Sequence, residues 1–378
     1  MTFLVFDAYG GGGVARTVAN LANHLVHSRT VRVVSLYRRR EHPRFALDSS
    51  IELTVLRDLT KAERLPARVA ARFGSRLRPV PSEKNMSLLT DVLLGRSLRA
   101  ITEGVLVSTR PSLHLAATRF ARPEVTTVGW DHLNFPSRFA NARQREVLRA
   151  AVPRLDGYAV LTDADAEDYR KALPATATRI EVLRNSVSWP LSATPAPLDS
   201  KVVVAAGRLV PRKGFRRLVR AFAPVARAHP DWQLHIYGTG PQEGEIREVI
   251  RRLELSGQVI LKGYTHDFPS VLAGASAYAM ASMSEGFPMV LIEAMTRGVP
   301  LVAFDCPRGP AEIIRDGENG LLVPEGPHER LGEALMRLVE DDELRARLGA
   351  QALRDAERYT IDRITADWED FLDGLTVG

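Results

Sequence analysis

The chain has 378 residues, a net charge of +6 and a hydrophobic content of 45%, values of a soluble globular protein long enough for two domains with separate cores. No apolar run approaches the roughly 20 residues that cross a bilayer, and the single cysteine, Cys306, excludes an internal disulfide and a cysteine-built metal cluster. The basic residues come with no zinc-finger spacing and no aromatic-studded basic sheet motif, so the expected partners are phosphorylated small molecules or anionic lipid rather than nucleic acid. Without a basic leader before Asp7, a cytoplasmic protein is expected.

Residues 2–6 are a short apolar run, followed by Gly10-Gly11-Gly12-Gly13, a helical pattern over 14–25 and a second strand over 31–36. This order opens a doubly wound α/β domain. Gly10, Gly12 and Ala15 match the dinucleotide fingerprint only loosely, because Tyr37-Arg38-Arg39-Arg40 stands where its acidic residue belongs. The glycine loop reads either as a place where a ligand meets backbone amides or as a plain turn. Residues 57–84 hold eight basic side chains against three acids. Arg64, Arg68, Arg72 and Arg76 run beside Leu65, Val69, Phe73 and Leu77 at four-residue spacing, two stripes of one amphipathic helix over 64–77. Such a helix either lies on an anionic membrane surface or packs its apolar stripe on the domain.

Further strands are expected over 104–107, 125–130, 158–161 and 180–183, with a helix over 138–151. Trp130-Asp131-His132-Leu133-Asn134 ends one strand, and open α/β sheets collect ligands at the carboxyl ends of strands. His132 is therefore a candidate polar contact; Asn185 follows the last strand. The proline-rich stretch 189–197 reads as a linker. The expected division is a first domain over 1–188, a linker over 189–200 and a second domain over 201–358, with 359–378 packing back on the first.

The second domain starts with a strand over 201–206 and the loop 207–214, which carries Arg208 and Lys213 where a strand-to-helix turn favours phosphate. A helix over 215–228 follows. Strands over 233–237 and 259–262 run into Gly238-Thr239-Gly240-Pro241 and Gly263-Tyr264. Beyond a buried strand over 277–281 comes Ser284-Glu285-Gly286-Phe287-Pro288-Met289-Val290-Leu291-Ile292-Glu293-Ala294. Pro288 suits a first helical position, placing Glu285 in the loop and Glu293 one to two turns into the helix. Two carboxylates around a helix N-terminus suit a ligand with hydroxyls and phosphates, such as a nucleotide sugar; a solvent-facing Glu285 and a merely helix-favouring Glu293 are the alternative. A strand over 301–304 and helices near 327–340 and 342–358 complete the domain.

These segments, in this order, resemble the retaining glycosyltransferases of family four, most specifically over 201–325: GRLVPRKG, YGTGP, GYTHD, SEGFPMVLIEA, DCPRGPAEII and DGENGLLVP. The first half matches more loosely, through the glycine loop, His132 and Asn185. The resemblance implies a GT-B architecture, two Rossmann-like doubly wound domains facing across a cleft. It implies transfer of a hexose or N-acetylhexosamine from a nucleotide sugar, by family habit a UDP-sugar, to a glycan, lipid-linked or cell-wall polymer acceptor. Arg208 and Lys213 would hold the donor diphosphate, Glu285 the sugar hydroxyls and Glu293 the ribose. Amides of Phe287, Pro288, Met289 and Val290, beside Gly286, would assist the phosphates, and main-chain groups of Gly263 and Tyr264 would read the base. His132 would contact the donor sugar, and Gly11, Gly12 and Gly13 would border the phosphates. Retention would proceed on one face of the sugar, with the leaving phosphate helping to deprotonate the acceptor. Glu285 would not be a covalent nucleophile, and neither a metal nor a further cofactor is expected.

Overall fold

The computed structural model describes residues 1–61, 70–77, 80, 83, 85–174 and 176–376. Two compact units emerge, unit 1 from Met1–Ser186 with Ile361–Gly378 and unit 2 from Val187–Thr360. Unit 1 is built on β1 (Thr2–Asp7), β2 (Arg32–Arg38), β3 (Glu52–Asp58), β4 (Gly104–Ser108), β5 (Val125–Trp130), β6 (Gly157–Val160) and β7 (Arg179–Val182). The strands pair in the order β3-β2-β1-β4-β5-β6-β7, all parallel. Parallel sheets are covered on both faces, which is why the inner strands are continuous apolar runs. Alternation still sorts the side chains of β1. Phe3 and Val5 join the core shared with the helices Gly13–Leu25 and Ile361–Thr376, while Leu4 and Phe6 enter the opposite core with Leu94, Leu113 and Leu148.

Unit 2 holds β8 (Val202–Ala206), β9 (Gln233–Tyr237), β10 (Val259–Gly263), β11 (Ala277–Met280), β12 (Leu301–Asp305) and β13 (Gly320–Pro324). Their order is β10-β9-β8-β11-β12-β13, again all parallel. The helix Phe215–Ala228 buries Leu218, Phe222 and Val225 in a core that also takes Leu335 and Leu338 of the helix His328–Glu340. Each such side chain contributes about 1.5–3 kcal/mol by leaving water. In both sheets the winding direction reverses beside the first strand, between β1 and β4 and between β8 and β11, and such switch points open crevices at the carboxyl edge.

Several segments differ from the sequence expectation. The helix expected over 138–151 is two helices, Phe135–Ala140 and Ala142–Ala151. Asn134 and Asn141 are extended and cap them through Ser137 N–H and Gln144 N–H, at 2.8 and 3.0 Å. β3 lies at the sheet edge with mostly half-buried side chains, so it carried no apolar run to announce it. The stretch 189–200 is packed on unit 2: Ser192 and Ala196 donate backbone N–H groups to the carbonyls of Thr296 and Arg297, and the Trp189 indole donates to Thr296 Oγ1.

The helix expected over 64–77 does not reach Leu77. Residues 62–69 lie outside the described residues, but Arg72 to Leu77 form turns and one bridge, Gly74 to Ser87. Asp91 accounts for this, since its carboxylate accepts from Ser75 Oγ and Arg76 N–H, both at 2.6 Å, and a helix would have to give these up. The supposed apolar stripe is divided, with Leu77 fully buried and Phe73 59% exposed.

Candidate active site

The loops after β8 and β11 flank the switch point of unit 2, and backbone economy brings them together. Gly214, with φ +67°, lies so close to β11 that a side chain there would strike the Ala281 carbonyl. Gly238 (φ +129°) and Gly240 press in the same way on the carbonyls of Gly207 and Leu209. Gly207 and Leu209 N–H groups bond the carbonyls of Tyr237 and Thr239 at 3.0 Å each. The GRLVPRKG and YGTGP segments are thus one folded layer, and only glycine permits the approach.

On this layer Lys213 Nζ donates to Glu285 Oε1 at 2.6 Å; the lysine side chain is 18% exposed and the glutamate 6%. Arg208 stands exposed on the same loop and forms no ion pair among the described residues. Glu285 N–H bonds the Pro307 carbonyl at 3.0 Å, tying the β11 loop to the loop after β12. Gly309 completes that junction, since a side chain there would overlap the Pro288 ring.

Pro288 caps the helix Met289–Met295 from just outside its first turn. The expected row of phosphate-facing amides is therefore shorter than Phe287, Pro288, Met289 and Val290 would supply. Pro288 has no N–H, and Met289 N–H is turned onto the Phe287 carbonyl at 2.9 Å. Glu293 is 2% exposed within this helix, together with Leu291, Ile292, Ala294 and Met295, so the helix is buried nearly all round rather than on one face. Beneath the layer, Tyr278 hydroxyl accepts from Ala206 N–H at 3.1 Å. Burial, then the nearby Glu293 and Glu285 charges, hold its proton on despite that bond. Cys306 is buried, and burial with Glu285 and Glu325 pushes its thiol up to about 12, which removes it as a nucleophile at neutral pH. Gly263 (φ +70°) ends β10 and accepts from Gly238 N–H at 2.7 Å, while Tyr264 beside it is 53% exposed.

In unit 1, Gly11, Gly12 and Gly13 are exposed after β1, with open space around Gly12 and Gly13 and Arg44 lying across Gly11. His132 follows β5, and its ring lies 4.4 Å from that of Trp130. Its Nε2 is enclosed and has no partner among the described residues. Burial brings its imidazole down to about 3 against the opposing pull of Asp131, so the ring is neutral. Asn185 is buried after β7.

Asp131, beside His132, is engaged within the protein. It is buried and accepts from Arg138 Nε and Nη2, Tyr158, Tyr169 and Leu133 N–H at 2.6 to 3.1 Å. Burial would raise its carboxyl; the Arg138 guanidinium overrides that and holds it down to about 2. This network was hidden in the sequence because its members come from four segments. The one local sign was Asp131 standing beside His132.

Residues 192–355 match the family described as Glycosyl transferases group 1. These residues carry a glycosyltransferase group 1 domain, and the two Rossmann-like units share the GT-B fold of the solved structures they superpose on. It is 34% identical over 387 aligned residues to an exopolysaccharide phosphotransferase of Streptomyces coelicolor, an alignment that takes 99% of this chain but 41% of that protein. An uncharacterized glycosyltransferase of Haemophilus influenzae is 25% identical, over 98% of this chain and 99% of that one. Among solved structures, S. aureus TarM, determined in complex with Fondaparinux, alpha-GlcNAc-glycerol and UDP, superposes with a TM-score of 0.77 at 17% identity, covering 98% of this chain and 99% of its own.

Proposed function

We propose that this chain transfers a hexose or N-acetylhexosamine from a UDP-sugar to a hydroxyl of a glycan, lipid-linked or cell-wall polymer acceptor. The observation that carries the reading is the Lys213–Glu285 pair at the switch point, with Arg208 exposed on the same loop. Two cations at the carboxyl edge suit a diphosphate, and their charge counts most as the nucleotide leaves. Lys213, 18% exposed, keeps donors for phosphate oxygens besides the one given to Glu285. Glu285 is assigned the sugar hydroxyls and Glu293 the ribose. Gly263 and Tyr264 take the base, and Gly286, Phe287 and Val290 the phosphates, with Gly11, Gly12 and Gly13 bordering them. His132, neutral and with Nε2 lacking a protein partner, is suited to a hydrogen bond from or to the donor sugar.

Retention follows with the leaving phosphate as the base and no residue of the chain as covalent nucleophile. Arg208 and Lys213 supply the charge a divalent cation would otherwise provide. We place the enzyme on the cytoplasmic side, associated peripherally with the inner face of the membrane. Incubation with UDP-sugars and polymer acceptors tests the reading by NMR of the product anomer and by adding a chelator. A retained anomer formed equally well in chelator is expected. An inverted product, or activity lost to chelator and restored by magnesium, overturns the assignment.

A further inference from the structure

Charge in this sequence is concentrated in one stretch. Residues 57–122 hold thirteen lysines and arginines against five acids, an excess larger than the +6 of the whole chain. Two of those acids are largely covered: Glu83 is 1% exposed and bonded to Ser112, and Asp91, which lines the groove described next, is 6% exposed with its carboxylate bonded to Ser75 and Arg76. Within this region a groove of about 630 Å³ runs between the helices Leu88–Arg99 and Pro111–Phe120. Arg76, Arg96, Arg99 and Arg119 line it, with Val92 and Phe120 among its apolar walls. Among the described residues none of these four arginines forms an ion pair, and Arg122 sits alongside, donating to the Arg99 carbonyl at 2.7 Å. A cation at a helix C-terminus complements the backbone dipole, which favours Arg96, Arg99 and Arg119 in the last turns of their helices but gives none of them a carboxylate partner.

The groove is remote from the part of the candidate site that unit 1 carries. Both helices run back from the carboxyl edge of the sheet to its amino edge, so Arg96, Arg99 and Arg119, in their last turns, lie away from the edge that carries Gly11 and His132. Apolar exposure accompanies the charge. Phe73 is 59% and Val92 45% exposed; Val92 lines the groove, and the Phe73 carbonyl accepts from Leu88 N–H beside it.

We propose that this face of unit 1 docks on an anionic lipid surface, with the groove taking a phosphate headgroup and Phe73 and Val92 entering the acyl boundary. Unpaired arginines match phosphate geometry, and bulky apolar side chains beside them favour a bilayer over a free polyanion, which offers nothing for them to enter. The proposal specifies the surface for the peripheral association stated above and rests on that part of the reading.

The test is co-sedimentation of the full chain with phosphatidylcholine vesicles containing about a third phosphatidylglycerol, where each basic residue at the surface strengthens binding roughly fivefold. Binding is expected at low salt, weakening as salt screens the charges. The double variant Arg96→Glu/Arg119→Glu should bind at least ~30-fold more weakly. Arg227→Glu/Arg354→Glu, the same charge change on unit 2, should keep most of the binding. A tryptophan placed by Phe73→Trp should shift its emission to the blue on the anionic vesicles. UDP-sugar hydrolysis measured alongside should be unchanged in the Arg96/Arg119 variant, so failure of docking and failure of the enzymatic reading are separable. The proposal is overturned by equal binding to neutral vesicles, by no binding at low salt, or by undiminished binding of the Arg96/Arg119 variant. Polyphosphate binding that needs Arg96 and Arg119 without any tryptophan shift on vesicles would also overturn it, and would make the groove a polyanion site.

Discussion

Lys213 and Glu285 stand 72 residues apart in the chain and are joined by a 2.6 Å charge-assisted hydrogen bond. They form an ion pair on a layer where both are largely covered. Removing one therefore alters the other. Lys213→Ala should lower kcat on the order of 10²-fold or more, as loss of a transition-state stabiliser does. A cycle with Glu285→Ala should show a coupling of about 0.5–3 kcal/mol. Arg208→Ala, at an exposed position, should lower kcat similarly with little change in stability. Steady-state kinetics and denaturation of the four proteins check this; additive, near-normal behaviour would mean the donor site lies elsewhere.

Glu293 is buried in its helix and assigned to the ribose, far from the bond that breaks. Glu293→Gln keeps the shape and removes the charge. It should raise the donor KM more than it lowers kcat, because an interaction present equally in ground and transition states acts on binding. Donor titrations at saturating acceptor read the split, and a selective loss of kcat would contradict the assignment.

Unit 1 should lose stability on acidification. His114 and His132 are held down to about 3 from 6.5, in each case by burial first, and Asp131 is held down to about 2 from 3.8 by Arg138 over the opposing effect of burial. All three bind protons more readily in the unfolded chain. Their stabilising contribution is complete above about pH 6.5, is lost for the histidines as pH falls toward 3, and for Asp131 between 3.8 and 2. Between pH 6 and 4 the two histidines together should give a slope of about 2.7 kcal/mol per pH unit. Hydrogen exchange of unit 1 against pH should show it, and His114→Asn or His132→Asn should each remove about half.

Two glycines should respond oppositely to the same substitution. Gly214→Ala puts a methyl group against the Ala281 carbonyl at φ +67° and should cost about 2 kcal/mol or more while weakening donor binding. Gly244 lies in the helix Glu243–Arg252 with open space around it, so Gly244→Ala should stabilise by roughly 0.5 kcal/mol. Thermal unfolding and UDP titration of the two variants compare them directly.

The strands of both sheets were legible because parallel, doubly covered strands must be apolar along their length. The run over residues 125–130 and the helical pattern over 215–228 needed no tertiary information, and the glycine and charged residues at their ends marked the loops that bear Arg208, Lys213, Glu285 and His132. The edge strand Glu52–Asp58 escaped notice because half-buried residues carry no such constraint. The repeat over 64–77 misled for a related reason. Periodicity records what a helix would bury, whereas the backbone after Arg72 follows hydrogen bonds to Asp91, a residue that local spacing does not include. Whether Lys213 meets Glu285, whether Asp131 faces solvent or four donor groups, and which arginines share a groove all depend on side chains brought together from distant segments. The sequence by itself determined the doubly covered elements and the chemistry available at their ends. Only the tertiary structure decided which charges are neighbours, because burial and distance are properties of the packed chain.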